Sequence, residues 1–366
     1  LSPKAGVSPK QQTKGMWTCK PHPLFCCLEK MAECIVEVCK IEEVKPHLNA
    51  DALELTQIKG WQVVVPKGRY LAGDLVVYVP IDSVIPPEWS DKWGITKYLS
   101  HGRVRCARLR GEPSFGVIVD RDDPAWPEGL DVREHYGIQK YIPPFKPLAG
   151  DAETAHPLFV SYTDIENMRH YPALLAEGEE VIVTEKIHGT NGRVGMIEGE
   201  VMAGSMSVRR KRPDEPEKNT YWLPTTLPGV MALLAELGAS HRQAILFGEV
   251  YGRGIQSLHY GCEQQPGFAA FDLLVDGRYL DWDAFQAMCE RFGVPVVPLL
   301  WRGPFSLPAI RQLSKGDTTL PGHHLREGVV VKPVAERTDP TIGRVALKYI
   351  SDEYLLDRNI SDTFDV

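Results

Sequence analysis

Lys186-Ile187-His188-Gly189-Thr190-Asn191 sets a lysine directly after an apolar, strand-like run, Val181-Ile182-Val183-Thr184-Glu185, and directly before a polar turn. A lysine fixed at a strand end beside backbone donors can attack phosphorus. It must first lose its proton, since the free side chain has a pKa near ~10.4, so it needs burial, neighbouring charge or a metal. Taken alone, such a lysine reads more readily as an ordinary exposed side chain. Its company changes that. Phe247-Gly248-Glu249 ends one apolar run with a carboxylate, and Phe268-Ala269-Ala270-Phe271-Asp272 ends another with an aromatic and an acid. Glu327-Gly328-Val329-Val330-Val331-Lys332 has a glutamate before an apolar run and a lysine after it, and Ala346-Leu347-Lys348 adds a further lysine. Together these are the parts of nucleotidyl transfer: a nucleophile, carboxylates for ribose and a divalent cation, a ring to stack a base, and cations for phosphates.

Two kinds of chain must position them. Residues 32–140 read as all-β: Ile35-Val36-Glu37-Val38 alternates, and Trp61–Val65 and Leu75–Val79 are short β-branched runs separated by Gly60, Pro66, Gly68, Gly73 and Pro80. Short strands with frequent turns suggest a small barrel of the OB type. The stretch from Tyr98 to Leu109, with Arg103, Arg105, Arg108 and Arg110 in or beside it, has period-2 character and suits either a phosphate backbone or a solvated strand face. Residues 141–158, rich in proline, form the linker. Thr163 with Glu166 three residues on fits a capping box opening a helix. Residues 159–366 then mix strands and helices. The strand at 181–185 is followed by a hairpin turning at Glu198-Gly199-Glu200 and a helix from Pro228 to Leu237. Strands 245–250 and 268–274 precede a helix that Asp281 starts and Gly293 ends, and strands 328–332 and 344–350 close the series. The fold class expected is α+β with antiparallel sheets. No GxGxxG or GxxxxGK[ST] is present, so neither a Rossmann nor a P-loop nucleotide site is indicated.

The 366 residues suffice for two domains, and the net charge of −7 confines any nucleic-acid contact to local patches such as Arg209-Arg210-Lys211-Arg212. No apolar run is long enough to cross a membrane. Eight cysteines without a Cys-x-x-Cys pair fit a reduced, cytoplasmic chain rather than a disulfide framework; Cys19, His22 and Cys26 lack the second half of a zinc site. Residues 1–31 read as a disordered extension, with Met16 or Met31 as alternative starts.

The order Lys-Ile-His-Gly-Thr-Asn, Phe-Gly-Glu, Phe-x-x-Phe-Asp, Glu-Gly-Val-Val-Val-Lys, Leu-Lys resembles motifs I, III, IIIa, IV and V of the covalent nucleotidyltransferases, the ATP-dependent ligases and mRNA capping enzymes. The Lys-x-His-Gly-Thr-Asn form is similar to that of RNA ligases sealing nicked duplexes. Only residues 349–366 follow Lys348, too few for a C-terminal OB domain, and the β-rich part lies upstream. That order, with Pro46–Glu54 and Trp61–Val65, resembles the Deinococcus-type RNA ligases over roughly residues 32–350. The phrase from His47 to Glu54 is also similar to tRNA-binding OB modules.

The resemblance implies an N-terminal OB-like β-barrel followed by a nucleotidyltransferase (ATP-grasp-like adenylyltransferase) domain. It implies ATP as substrate with Mg2+ or Mn2+, and joining of RNA with 5′-phosphate and 3′-hydroxyl ends, in a nicked duplex or an RNA–DNA hybrid. Lys186 would take the AMP. The Glu185 and Ile187 backbone would help read adenine, and Gly189 and Asn191 would shape the loop near ribose and metal. Arg209 or Arg210 would hold ribose or RNA phosphate, and Glu249 ribose and metal. Phe268 or Phe271 would stack adenine; spacing does not choose between them. Glu327 would bind metal, Lys348 the α-phosphate, and Lys332 a further phosphate. Relatives often carry Lys-x-Lys in motif V. Here the first position is Ala346, and Arg344, on the same face of a continuous strand, could substitute. His188 suits a structural hydrogen bond better than proton transfer. The alternatives are a capping-type guanylyltransferase and a non-catalytic RNA-binding OB protein carrying an inactive scaffold.

Overall fold

The computed structural model describes residues 34–142 and 150–357. The expected extension 1–31, the Cys19/His22/Cys26 group and most of the linker prolines lie outside them. All described residues fall in one compact unit.

The β-rich part begins with β1 (Glu37–Lys40), β2 (Glu43–Pro46), β3 (Leu53–Ile58), β4 (Trp61–Pro66), β5 (Leu75–Val79) and β6 (Ser83–Val84). Helix α1 (Pro87–Lys92), β7 (Ala107–Leu109), β8 (Glu112–Ser114), β9 (Val117–Val119), α2 (Arg133–Tyr136) and β10 (Gln139–Lys140) complete it. Two three-stranded sheets, β1-β5-β9 and β2-β3-β4, wrap a common interior without closing into one hydrogen-bonded ring. Alternation explains the packing: Trp61, Val63 and Val65 are buried while Gln62 and Val64 are less so. The run from Tyr98 to Leu109 is not one strand. His101 and Gly102 take positive φ, Arg103 makes only isolated bridges to Ser100 and Val84, and Ala107–Leu109 pairs with β8.

The second part contains β11 (Glu166–Asn167), β12 (Glu180–Lys186), β13 (Thr190–Ile197), β14 (Glu200–Ser205), β15 (Arg209–Arg210), α3 (Pro228–Gly238), β16 (Gln243–Tyr251), β17 (Gly267–Val275) and β18 (Arg278–Tyr279). Then come α4 (Trp282–Phe292), β19 (Leu299–Pro304), α5 (Leu307–Leu313), β20 (Gly328–Pro333), β21 (Thr338–Asp339), β22 (Gly343–Arg344), β23 (Leu347–Ile350) and α6 (Asp352–Leu356). They build a six-stranded sheet, β15-β14-β13-β16-β17-β18, and a five-stranded sheet, β11-β23-β20-β12-β19. Every neighbouring pair in them is antiparallel except β11–β23. The six-stranded sheet buries Val194, Leu246 and Leu273 against Leu233 of α3 and Phe285 of α4. Gly293 ends α4 in the left-handed conformation that glycine accepts without strain.

Two sequence expectations fail here. No helix opens at Thr163; Glu166–Asn167 pairs with Leu347–Lys348 instead, and sheet pairing overrides the local cap signal. The strand expected over 344–350 is broken. Arg344 pairs with Thr338 in a separate ladder, and Leu347–Ile350 pairs with β20.

The two parts share a core. Trp61, Tyr78 and Phe115 cluster with Ile187, Tyr260, Ile350 and Tyr354. The Arg169 guanidinium lies 3.6 Å above the Trp61 ring and 4.3 Å from the Tyr349 ring, and bonds Asp352 at 2.6 Å. Among the described residues no helix is long and apolar enough to cross a membrane.

Candidate active site

Register decides which residues can meet. Thr184 stands beside Val330, Val330 beside Lys348, and Lys186 beside Gly328. Partners across a ladder point to one side, as do residues two apart along a strand. Lys186 and Lys348 therefore share one face of the five-stranded sheet. Val181, Val183, Val329, Val331 and Leu347 fill the core on the other.

At the end of β12, Lys186 Nζ lies 2.6 Å from Glu327 Oε1, and Glu327 is fully buried. Glu327 Oε2 is 3.9 Å from His188 Nδ1. The His188 ring is pinned at both nitrogens, by the Tyr354 hydroxyl at 2.9 Å and Ser257 Oγ at 3.2 Å. Its backbone N–H donates to the Tyr260 hydroxyl at 2.8 Å. Burial, with the nearby Glu327 charge, pushes the Tyr260 hydroxyl far above the usual tyrosine range, so it stays protonated. This arrangement gives His188 a structural place in the lysine loop. Sequence reasoning missed Tyr260 and Tyr354. Neither belongs to a motif; each is found only by tracing which hydroxyl reaches the loop.

Gly189 is required by close approach. A Cβ there would collide with the Val250 carbonyl oxygen and lie 2.9 Å from Glu249 Cγ. Gln256 Nε2 donates to the Gly189 carbonyl at 3.2 Å. Asn191 pairs directly with Glu249 across β13 and β16, and Asn191 Oδ1 is buried with no hydrogen-bond partner. An orphaned amide oxygen beside a carboxylate is an acceptor pair suited to ribose hydroxyls or a hard cation. Ile187 is buried in the core shared with the β-rich part. The Glu185 side chain faces away from chemistry. Its carboxylate accepts from Thr318 Oγ1, from the Thr319 N–H at 2.9 Å and from Thr319 Oγ1 at 2.7 Å, and so anchors the loop preceding β20.

The structure separates the two candidate rings. A bulge between Phe247 and Gly248 leaves Phe271 unpaired, with Phe247 opposite Asp272 and Gly248 opposite Ala270. Phe268 stays in the helix-covered core, buried over Gly248. Phe271 is half-buried on the other side, 4.9 Å from the Tyr162 ring.

Lys332 and Arg344 both hold Asp272. Lys332 Nζ bonds an Asp272 oxygen and the Phe271 carbonyl, the latter at 3.2 Å. Arg344 grips both Asp272 oxygens at 2.8 Å and also bonds Glu336. The Arg344 guanidinium is thus committed to Asp272 and Glu336, in a cluster with Lys332. Burial alone would raise the Asp272 carboxyl, but Arg344 and Lys332 outweigh it and hold it well below the usual carboxylate range. A carboxyl depressed in the folded state stabilises above its unfolded value near ~3.9, and that contribution is lost as pH falls toward the folded value. Replacing Asp272 with alanine leaves two buried cations facing each other. Urea unfolding should show a loss of about 3–5 kcal/mol; a loss under 1 kcal/mol would contradict this account of the cluster.

Arg209 bonds Glu153 at 3.0 Å and Glu200 at 2.6 Å, and Arg210 bonds Asp151 at 2.7 Å and packs on Tyr221. Both are thus held by acids at the sheet edge. Among the described residues no three metal-ligating side chains converge. A nucleotide-bound divalent cation needs only one or two carboxylates, with phosphate oxygens and water completing its shell. Glu249 and Glu327, with Asn191, fit that requirement.

Residues 179–350 match the RNA ligase family, and residues 35–120 match an OB-fold domain family. Among solved structures, a lysine-to-methionine variant of Naegleria gruberi RNA ligase with AMP and Mn aligns at 25% identity with a TM-score of 0.73. The alignment covers 88% of this chain and 98% of that one. A lysine-to-alanine variant of that ligase with ATP and Mn gives 25% identity and a TM-score of 0.72 over the same shares. The N. gruberi ligase with PPi gives 26% and 0.72, again covering 88% and 98%. No curated protein matches the sequence.

Proposed function

We infer that the protein is an ATP-dependent RNA ligase and that Lys186 is the residue it charges with AMP. The observation that carries the second half is the pairing of Lys186 Nζ with the buried Glu327 carboxylate at 2.6 Å, on the sheet face that also bears Lys348.

The lysine at rest is held by Glu327 and has to be freed of that ion pair and of its proton before it can attack. Its Nζ then bonds the α-phosphorus of ATP, the bond to the bridging oxygen breaks, and pyrophosphate leaves. Lys348 balances charge on the α-phosphate, Phe271 stacks on adenine, and Glu249 with Asn191 bonds the ribose. A divalent cation bound by Glu327 and Glu249 would take up that carboxylate charge and neutralise the phosphates. AMP next passes to an RNA 5′-phosphate, and attack by a 3′-hydroxyl on that phosphorus releases AMP and seals the strand. Because a Cβ at Gly189 would meet the Val250 carbonyl and Glu249, Gly189→Ala should displace the loop, slow AMP charging about a hundredfold and lower the urea midpoint; charging at the wild-type rate would contradict the placement.

The finer reading is a cytoplasmic enzyme of the Deinococcus type. Residues 32–140 grip the nicked duplex through its backbone, 159–366 carry the chemistry, and 141–158 join them. The Lys-x-His-Gly-Thr-Asn loop and the upstream β-rich part support it. Purified protein with ATP and Mn2+ should seal a 5′-phosphate, 3′-hydroxyl RNA nick held in a duplex faster than the same ends on free single strands. The reverse preference would overturn the nicked-duplex reading.

A further inference from the structure

We propose that the β7–β8 hairpin and the turn at 47–49 form a preorganised surface for the RNA backbone, with Arg105, Arg108 and Arg110 as phosphate contacts and Leu48 as an apolar contact. The proposal rests on the ligase reading above and names where on the β-rich part the substrate lies.

Four arginines fall between 103 and 110, but they differ in state. Arg103 is committed internally: it bonds Asp82 and stacks 3.8 Å from the Tyr141 ring. Arg105, Arg108 and Arg110 are exposed and, among the described residues, make no ion pair. Arg108 reaches only the carbonyl of Gly111, at 3.4 Å. In a chain of net charge −7, three exposed arginines within six residues, none in an ion pair among the described residues, form a local positive patch.

The patch is rigid. Arg110 and Gly111 both take positive φ, the backbone of a tight hairpin turn. His47 is buried and engaged at both ring nitrogens. Nε2 bonds the Leu109 carbonyl at 2.9 Å, and Nδ1 accepts from the Asn49 N–H at 3.0 Å. That histidine ties the turn to the hairpin and leaves Leu48 between its bonded neighbours, 86% exposed. Folding gains nothing from holding a leucine in water. A fixed apolar tip beside unpaired arginines suits a ribose or base face flanked by phosphates.

The test uses the full chain and a nicked RNA duplex of arbitrary sequence, with Kd measured by fluorescence anisotropy over a salt series without ATP. The Arg105→Ala/Arg108→Ala/Arg110→Ala variant should bind about tenfold or more weakly. The slope of log Kd against log salt should fall by roughly 2–3. Leu48→Ser should weaken binding with the slope unchanged. AMP charging of Lys186, which needs no RNA, should stay at the wild-type rate in both variants. Wild-type affinity and slope in the triple variant would overturn the proposal, as would no measurable binding by the wild type. Loss of AMP charging in the triple variant would also overturn it, placing the arginines in nucleotide binding or in the fold. A wild-type protein that binds RNA but never takes AMP would instead sink the ligase reading.

Discussion

Lys186→Ala protein is expected to lose ATP-dependent sealing by about 10⁴-fold or more, yet to keep sealing a nick whose 5′ end already carries AMP. The two results belong together. If Lys186 is the residue charged, alanine removes the atom that accepts AMP from ATP, whereas the final step joins a 3′-hydroxyl to an activated phosphate and needs no lysine. Alanine also strips the partner from a fully buried carboxylate, and breaking such a pair destabilises on its own. Lys186→Arg separates the effects. Its guanidinium keeps a cation near Glu327 but stays protonated and cannot attack. The arginine variant should match alanine in chemistry and retain more of the wild-type urea midpoint. ATP-dependent sealing by either variant would remove Lys186 from the reaction.

Glu327→Gln is the second large effect. Glutamine keeps the shape and removes the charge from a site that holds Lys186 at 2.6 Å and lies 3.9 Å from His188 Nδ1. AMP charging should fall about 10²–10³-fold, the usual consequence of losing one preorganised charged contact to a reacting phosphate. The Mn2+ concentration giving half-maximal charging should rise as well. A role limited to holding the fold would lower the unfolding midpoint and leave that metal dependence where it was, and this outcome would count against Glu327 as a cation ligand.

Much of this arrangement is legible in the sequence, because strand alternation and motif order are local. The strand ending at Lys186, the hairpin after Asn191, the helices at 228 and 282 and the paired sheets all follow from period and caps. What fails is non-local. Thr163 and Glu166 spell a helix start, but Leu347 takes Glu166 into a ladder. Arg344 looks continuous with Lys348 until pairing with Thr338 breaks the strand and Asp272 claims the guanidinium. Lys332 follows a motif glutamate by five residues, yet Asp272 holds it in a buried cluster. Phe268 and Phe271 both fit the motif spacing; three residues apart on a strand they face opposite ways, and only the packing shows which face the helices cover. Tyr260 and Tyr354 leave no signal at all, since their meaning lies in reaching His188 from distant segments.

Lys186 is proposed to carry AMP. This is tested most directly by incubating the protein with α-labelled ATP, or α-labelled GTP, and Mn2+, then denaturing it and mapping any retained label. Label from ATP is expected on the peptide containing Lys186, and none from GTP or in Lys186→Ala. No covalent label, label from GTP alone, or label that persists in Lys186→Ala would contradict it.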